Sequence, residues 1–192
     1  MNIAKSIGES LSVKQQMLTD TELHDKIQKV ALLCVEAFST KGKVLLCGNG
    51  GSASDAQHIA AELSGRFYYD RDPLYAEALH VNTSYVTAVA NDYSYDEIYA
   101  RMVKAAGREG DVLIGLSTSG NSANVVRAFQ EAKKQGMLTV ALTGKGGGKL
   151  AEMADFVLKM PSNNTARIQE AHILTGHILC EIIEETIFPQ HA

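Results

Sequence analysis

An α/β fold, with a parallel sheet flanked by helices on both faces in three layers, is what this sequence predicts, and three observations predict it. Apolar β-prone runs alternate with stretches of helical spacing, the order that gives parallel strands joined by helical crossovers. A strand–turn–helix unit over 43–62 recurs in kind over 111–135. No linker or low-complexity segment divides the 192 residues, a length that one domain spanning 1–192 fills while burying its own core. Within it, 1–40 reads as an N-terminal helical arm and 41–192 as the α/β core with a final helix.

Taken in order, Ile3, Ile7, Leu11 and, less regularly, Met17 sketch one amphipathic helix. Thr19 followed by Glu22 has capping-box form and predicts a second, in which Leu23, Ile27, Ala31, Cys34 and Phe38 keep helical spacing. Lys41-Gly42 ends it. The apolar run 43–47 reads as a strand buried on both faces. Residues 48–52 form a glycine-rich turn, and Ser54 with Gln57 predicts a capped helix start. An aromatic, charged loop at 67–72 leads to Pro73. Then come a strand at 78–81, a helix-like stretch at 84–90, a polar loop at 91–95 and a helix at 96–106 closed by Gly107. The strand 111–116, a hydroxyl-rich turn at 117–122 and the helix 123–135 follow. Strands at 138–142 and 156–160 are separated by a glycine turn at 144–149 and a short helix at 150–154. A long last helix runs from Asn163-Asn164-Thr165 to about Ile187. Its apolar residues cover more than one face, which predicts burial between subunits together with the N-terminal helix.

Hydrophobic residues at 45% and charged residues at 21% are ordinary globular values, and a net charge of −4 without a Lys/Arg cluster argues against a nucleic-acid ligand. Cys34, Cys47 and Cys180 are odd in number and lie in apolar segments, so free thiols in a reducing cytosol are expected. The first residues lack signal-peptide form, and no apolar run approaches a membrane span. A soluble cytoplasmic protein without a membrane partner is the expectation.

The turn 48–53 fits the dinucleotide fingerprint, with Gly48, Gly50 and Ala53 at its fixed positions. That fingerprint also needs an acidic residue at the end of the next strand. Here the strand ends at Val81-Asn82, with Asp70 and Asp72 before it, so a nicotinamide cofactor is disfavoured. A glycine turn at a helix start suits an anion all the same. The second turn offers four hydroxyls in six residues: Ser117, Thr118, Ser119 and Ser122. A serine-rich cap is the bland reading, but one or two hydroxyls would serve for that, so the excess favours phosphate. The turn 144–149 has glycines without hydroxyls and reads as a flexible connection. His58 and Glu62 share a helix face, where a surface ion pair is the common outcome. Against that, they follow a glycine turn in a helix whose Ile59, Ala60 and Leu63 are apolar, and a second polar pair, Gln169 and His177, also sits in an apolar helix. His80 and His172 read as satisfied structural histidines, and His24 and His191 as solvated.

Cys47-Gly48-Asn49-Gly50-Gly51-Ser52, His58 with Glu62, Asn91-Asp92, Ser117-Thr118-Ser119-Gly120-Asn121-Ser122 and Arg167-Ile168-Gln169-Glu170 with His177 resemble, in this order and over nearly the whole chain, the phosphoheptose isomerases of the SIS (sugar isomerase) fold. The resemblance implies a Rossmann-like single SIS domain and a cytoplasmic homotetramer. Its reaction would interconvert sedoheptulose 7-phosphate and D-glycero-D-manno-heptose 7-phosphate for bacterial ADP-heptose and lipopolysaccharide core synthesis. Carried over by position, His58, Glu62, Gln169 and His177 would hold one Zn2+ per subunit. Asn49, Gly50, Gly51, Ser52, His58, Glu62, Asn91, Asp92, Ser117, Thr118, Ser119, Ser122 and Gln169 would line the substrate site. Glu62 and His177 would be the catalytic base and acid. One position departs from the pattern: Ala166 stands where many relatives have aspartate. The alternative is a non-catalytic tetrameric SIS protein that binds the replication initiator. There the positions of Glu62 and His177 carry residues unable to act as acid or base; this chain keeps both, which favours the enzyme over a protein-binding role.

Overall fold

The computed structural model describes residues 2–190, so His191 lies outside the described residues. Five parallel strands, β1 (Val44–Gly48), β2 (Ala76–Ala78), β3 (Val112–Ser117), β4 (Leu138–Thr143) and β5 (Phe156–Lys159), form one sheet in the order β2-β1-β3-β4-β5. Every residue of β1 and β3 is buried, as strands covered on both faces require. Alternate side chains divide between two cores. Val44, Leu46, Ile114 and Leu116 face α1 (Ile3–Thr19), α2 (Thr21–Ser39), α3 (Gly51–Ser64) and α8 (Thr165–Ile187). Leu45, Cys47, Leu113 and Ala141 face α4 (Thr83–Asp92), α5 (Ile98–Ala106), α6 (Ala123–Lys134) and α7 (Gly148–Met153). The result is the three-layer arrangement expected. No described helix is long and apolar enough to cross a membrane.

The chain leaves β1 toward β2 on one side of the sheet and returns at β3 on the other. A ligand crevice therefore opens between the carboxyl ends of β1 and β3, where the winding reverses. At the opposite ends of these strands Asp111, 1% exposed, pins them together. It accepts hydrogen bonds from the Lys43 and Arg108 amides at 2.9 and 2.8 Å and pairs with Lys43 Nζ at 2.6 Å.

Several local expectations are corrected. Thr19 ends α1 rather than capping α2; Asp20 takes that role, its carboxylate accepting from the Leu23 amide at 2.9 Å. The second strand lies at Ala76–Ala78, not 78–81, because its pairing with Val44–Leu46 ends at Ala78 and the chain then turns. Asn91 and Asp92 form the last turn of α4 instead of a loop, and residues 96–97 belong to a 3₁₀ turn, Tyr95–Glu97, ahead of α5.

Candidate active site

Helix α3 starts at Gly51, three residues before the position that Ser54 and Gln57 suggested. Gly50, at φ +56°, turns the chain into the helix, and no side chain caps it; Ser54 Oγ reaches back only to the Gly50 carbonyl, at 3.4 Å. The Ser52 and Ala53 amides fold back on the Asn49 and Gly50 carbonyls, at 3.1 and 3.0 Å. Of this first turn the Gly51 N–H alone keeps no backbone partner among the described residues, available to a ligand at the switch point.

The course of α3 along α8 decides which functional residues meet. A Cβ on Gly176 would lie 2.4 Å from Ile59 Cδ1, so with isoleucine opposite it is glycine that lets the two helices approach this closely. In this register Gln169 rests on Gly51, and the His177 ring lies 5.0 Å, centroid to centroid, from that of His58. His58 Nε2 is 3.0 Å from Glu62 Oε1. Ligand atoms of His58, Glu62 and His177 all fall within 4.8 Å of one another. Gln169 meets α3 seven residues before His58, roughly 10 Å along the helix axis.

The Phe67 ring lies 5.7 Å from the His177 ring. Its loop is fastened by Glu184, 1% exposed, which accepts from the amides of Phe67 and Tyr68 at 2.9 and 2.7 Å and from Arg71 Nε at 3.0 Å. Burial alone would raise the Glu184 carboxyl, but the two amides and the Arg71 guanidinium outweigh it and hold its pKa below the ordinary value. Arg71 also donates to the carbonyls of Glu62 and Leu63, at 2.8 and 2.7 Å, which locks the last turn of α3 against α8. Asp55, on the α3 stripe between Gly51 and His58, keeps one carboxylate oxygen buried and unpartnered among the described residues, and burial raises its pKa.

Two loops flank the crevice. On the β1 side, the Asn49 amide pairs with that of Asn124 through two 2.8 Å bonds and accepts from the Tyr95 hydroxyl at 3.1 Å. On the β3 side, Ser117 and Ser122 join their hydroxyls at 2.9 Å, Ser119 Oγ accepts from the Asn121 amide at 3.1 Å, and α6 begins after Ser122 without a side-chain cap. Thr118 and Ser119 border a cleft of about 240 Å³ that Lys145 and Ser162 also line. The glycine turn 144–149 is not the flexible connection expected but a buttress for this loop. A Cβ on Gly120 (φ +66°) would lie 1.9 Å from the Gly147 carbonyl oxygen, and the Lys149 amide donates to Asn121 Oδ1 at 3.0 Å.

Asn91 and Asp92 are exposed at the end of α4, bonded to each other at 2.9 Å. Ala166 is exposed in the first turn of α8, its amide capped by Asn164 at 3.0 Å. His80 is not satisfied as expected, its buried Nδ1 having no partner among the described residues. His172 is wholly buried, with the Thr143 backbone as its one polar neighbour but neither ring nitrogen in good hydrogen-bonding geometry, and burial, opposed in part by Thr143, pushes its pKa down to about 4. Asp55, Phe67, Tyr95, Asn124 and Lys145 were missed. Spacing could have found Asp55, which stands at i+4 from Gly51; the other four reach the site only through tertiary contact.

A profile of the SIS domain matches residues 10–144. The chain is 50% identical over 186 residues to the phosphoheptose isomerase of Sulfurimonas denitrificans, covering 97% of this chain and 95% of that protein. Among solved structures, the phosphoheptose isomerase of Neisseria gonorrhoeae superposes with a TM-score of 0.90 at 45% identity, over 95% of this chain and 97% of that one. That of Francisella tularensis gives 0.91 at 39% identity, over 95% and 96%.

Proposed function

The chain belongs to the phosphoheptose isomerase family of SIS-domain proteins, and from that membership we propose that it interconverts sedoheptulose 7-phosphate and D-glycero-D-manno-heptose 7-phosphate through an enediolate. This would be the first step toward ADP-heptose and the lipopolysaccharide core. The observation that carries the proposal is the meeting of Glu62 and His177 with His58 inside 4.8 Å, beside two open helix starts at one switch point. A non-catalytic module that binds a replication initiator has no need of that cluster, and the relatives described above lend it no support.

Aldose–ketose isomerisation moves a proton between C1 and C2. It needs a base for the carbon-bound proton, a group that handles the oxygen proton, and positive potential at the developing oxyanion. Glu62 is the base in this proposal and His177 the opposing acid and base, with His58 orienting the Glu62 carboxylate through their 3.0 Å bond. Ser117, Thr118, Ser119 and Ser122, with the open start of α6 and the charge of Lys145, take the phosphate and so fix the far end of the sugar. Asn49, Gly50, Gly51, Ser52, Gln169, Asn91 and Asp92 complete the substrate residues.

Two imidazoles and a carboxylate this close form a donor set that suits Zn2+. His58, Glu62 and His177 would hold one ion per subunit, and Gln169, which rests on Gly51, is the fourth ligand that the family resemblance carries over. Bound there, the ion would polarise the sugar oxygens. Ile3, Ile7, Leu11 and Leu18 on α1 are each more than half exposed, and Leu11, Leu18, Leu174 and Ile178 line an apolar groove beside α8. Both features support a homotetramer assembled through the terminal helices. The three buried free thiols accord with a cytoplasmic site of action. Incubation of the purified protein with sedoheptulose 7-phosphate, followed by NMR, tests the function; aldose phosphate should appear, and its absence from metal-replete enzyme would overturn the proposal.

A further inference from the structure

Asn124 is 2% exposed on a face of α6 whose other buried residues are Val125, Ala128, Phe129 and Ala132. Packing alone would favour an aliphatic side chain there, because a buried amide is costly unless its bonds are made. Its bonds are made, and their chemistry fixes which atom is which. The Val125 backbone N–H can only donate, so the Asn124 atom 2.9 Å from it is the carbonyl oxygen. The other end of Asn124 is then the NH2 group, and the Asn49 atom that receives it, at 2.8 Å, must be Oδ1. Asn49 Nδ2 in turn donates to Asn124 Oδ1 at 2.8 Å. The Tyr95 hydroxyl donates to the same Asn49 Oδ1 at 3.1 Å, from a 3₁₀ turn that Glu97 ties to α6 by its ion pair with Arg127.

Both lone pairs of Asn49 Oδ1 are thereby used, while one Nδ2 hydrogen finds no protein acceptor among the described residues. We propose that Asn124, assisted by Tyr95, is a positioning residue that fixes the polarity of Asn49, so that Asn49 offers the sugar phosphate a donor N–H and never its carbonyl. The inference rests on the reading of Asn49 as a substrate residue. It identifies the ligand group at Asn49 as an acceptor oxygen, one a donor favours increasingly as negative charge builds on it. A free asparagine could present either end; this one is held to a single orientation before substrate arrives.

The test is a double-mutant cycle on isomerisation of sedoheptulose 7-phosphate by the intact enzyme, with kcat and KM measured separately. Asn49→Ala should lower kcat/KM about tenfold, the upper value for one hydrogen bond between neutral groups. Asn124→Leu should approach the same loss, and Asn49→Ala/Asn124→Leu should be no worse than Asn49→Ala alone, since Asn124 acts only through Asn49. Tyr95→Phe should lose less, and its effect should vanish in the Asn49→Ala background. If the leucine variant does not fold, Asn124→Asp serves in the same cycle: it keeps the acceptor for the Val125 amide but sets an oxygen against Asn49 Oδ1. Multiplicative losses in the double mutant, or wild-type kinetics for the folded Asn124 variant beside an impaired Asn49→Ala, would overturn the inference alone. Wild-type kinetics for Asn49→Ala would overturn the placement of Asn49 at the substrate, and the inference with it.

Discussion

Helices in this protein begin in two ways. Helices α1, α2, α4 and α8 are each capped by the side chain before them: Asn2, Asp20, Asn82 and Asn164. Helix α7 is capped from across the fold by Asn121. Helices α3, α5 and α6 receive no side-chain bond from the residue before them, and α5 continues directly from the 3₁₀ turn. Helices α3 and α6 start on either side of the switch point, where the Gly51 amide and, in α6, the Ala123 and Asn124 amides keep no partner among the described residues, the Val125 amide being held by the Asn124 side chain. An N-cap bond is worth about 1 kcal/mol, so two starts whose N-cap residues make none forgo stability at the end of the sheet where open α/β folds take ligands. The capped set holds the fold together, and the open set leaves donors for an anion.

The sharpest way to break this division is to attack the chemistry without the scaffold. Glu62→Gln should reduce turnover at least ~100-fold, and so should His177→Gln, with the double mutant little worse than either because the two groups serve one proton relay. Melting temperature and assembly should hold. Metal content must be measured beside activity, and a metal-replete Glu62→Gln enzyme with near-normal turnover would end the case for Glu62 as base.

The converse experiment uses a titratable group buried in the scaffold. The folded-state pKa of His172, about 4, lies below the ordinary 6.5, so the unfolded chain takes the proton first. Stability should be complete above pH 6.5 and fall by up to about 3 kcal/mol as the pH drops toward 4. Glu184, also held low, adds its loss only beneath the ordinary carboxylate range. Denaturant melts of wild type and His172→Leu across this window should differ in slope; parallel curves would remove His172 as the cause.

Ser122→Asp probes the open set directly. Its carboxylate can cap α6 but lies where the substrate phosphate would sit, so KM should rise about tenfold while stability is kept or gained. An unchanged KM would separate this loop from phosphate. The smallest effect belongs to the capped set: Asp20→Ala should cost about 1 kcal/mol of stability and leave kcat and KM alone. A kinetic change there would show that the two sets of helix starts are not independent.

Much of this was legible in the chain. The run at 43–47 announced a strand covered on both faces because such burial needs an uninterrupted apolar run, 111–116 read as its counterpart in the recurring unit, and the hydroxyl excess at 117–122 marked the second loop. The start of α3 was misread for the reason that makes it useful: sequence rules recognise helices by their caps, and this helix has none. The strand at Ala76–Ala78 is a short edge strand with two alanines and a glutamate, which gives neither alternation nor β-branching to detect. Asn124 resembles any polar residue in a helix's first turn. Only the fold, by setting α6 beside the β1 loop, turns it into the partner of Asn49.

The glycine at 176 ties two positions far apart in the chain to one shared volume. Ile59 occupies the space that a side chain at 176 would need, and their neighbours His58 and His177 meet only while the helices stay that close. Drift at these two sites is therefore coupled: a methyl gained at 176 has to be surrendered at 59, or the histidines part. Among aligned relatives that keep both histidines, bulk at the two positions should trade off, and sequences large at both would contradict this.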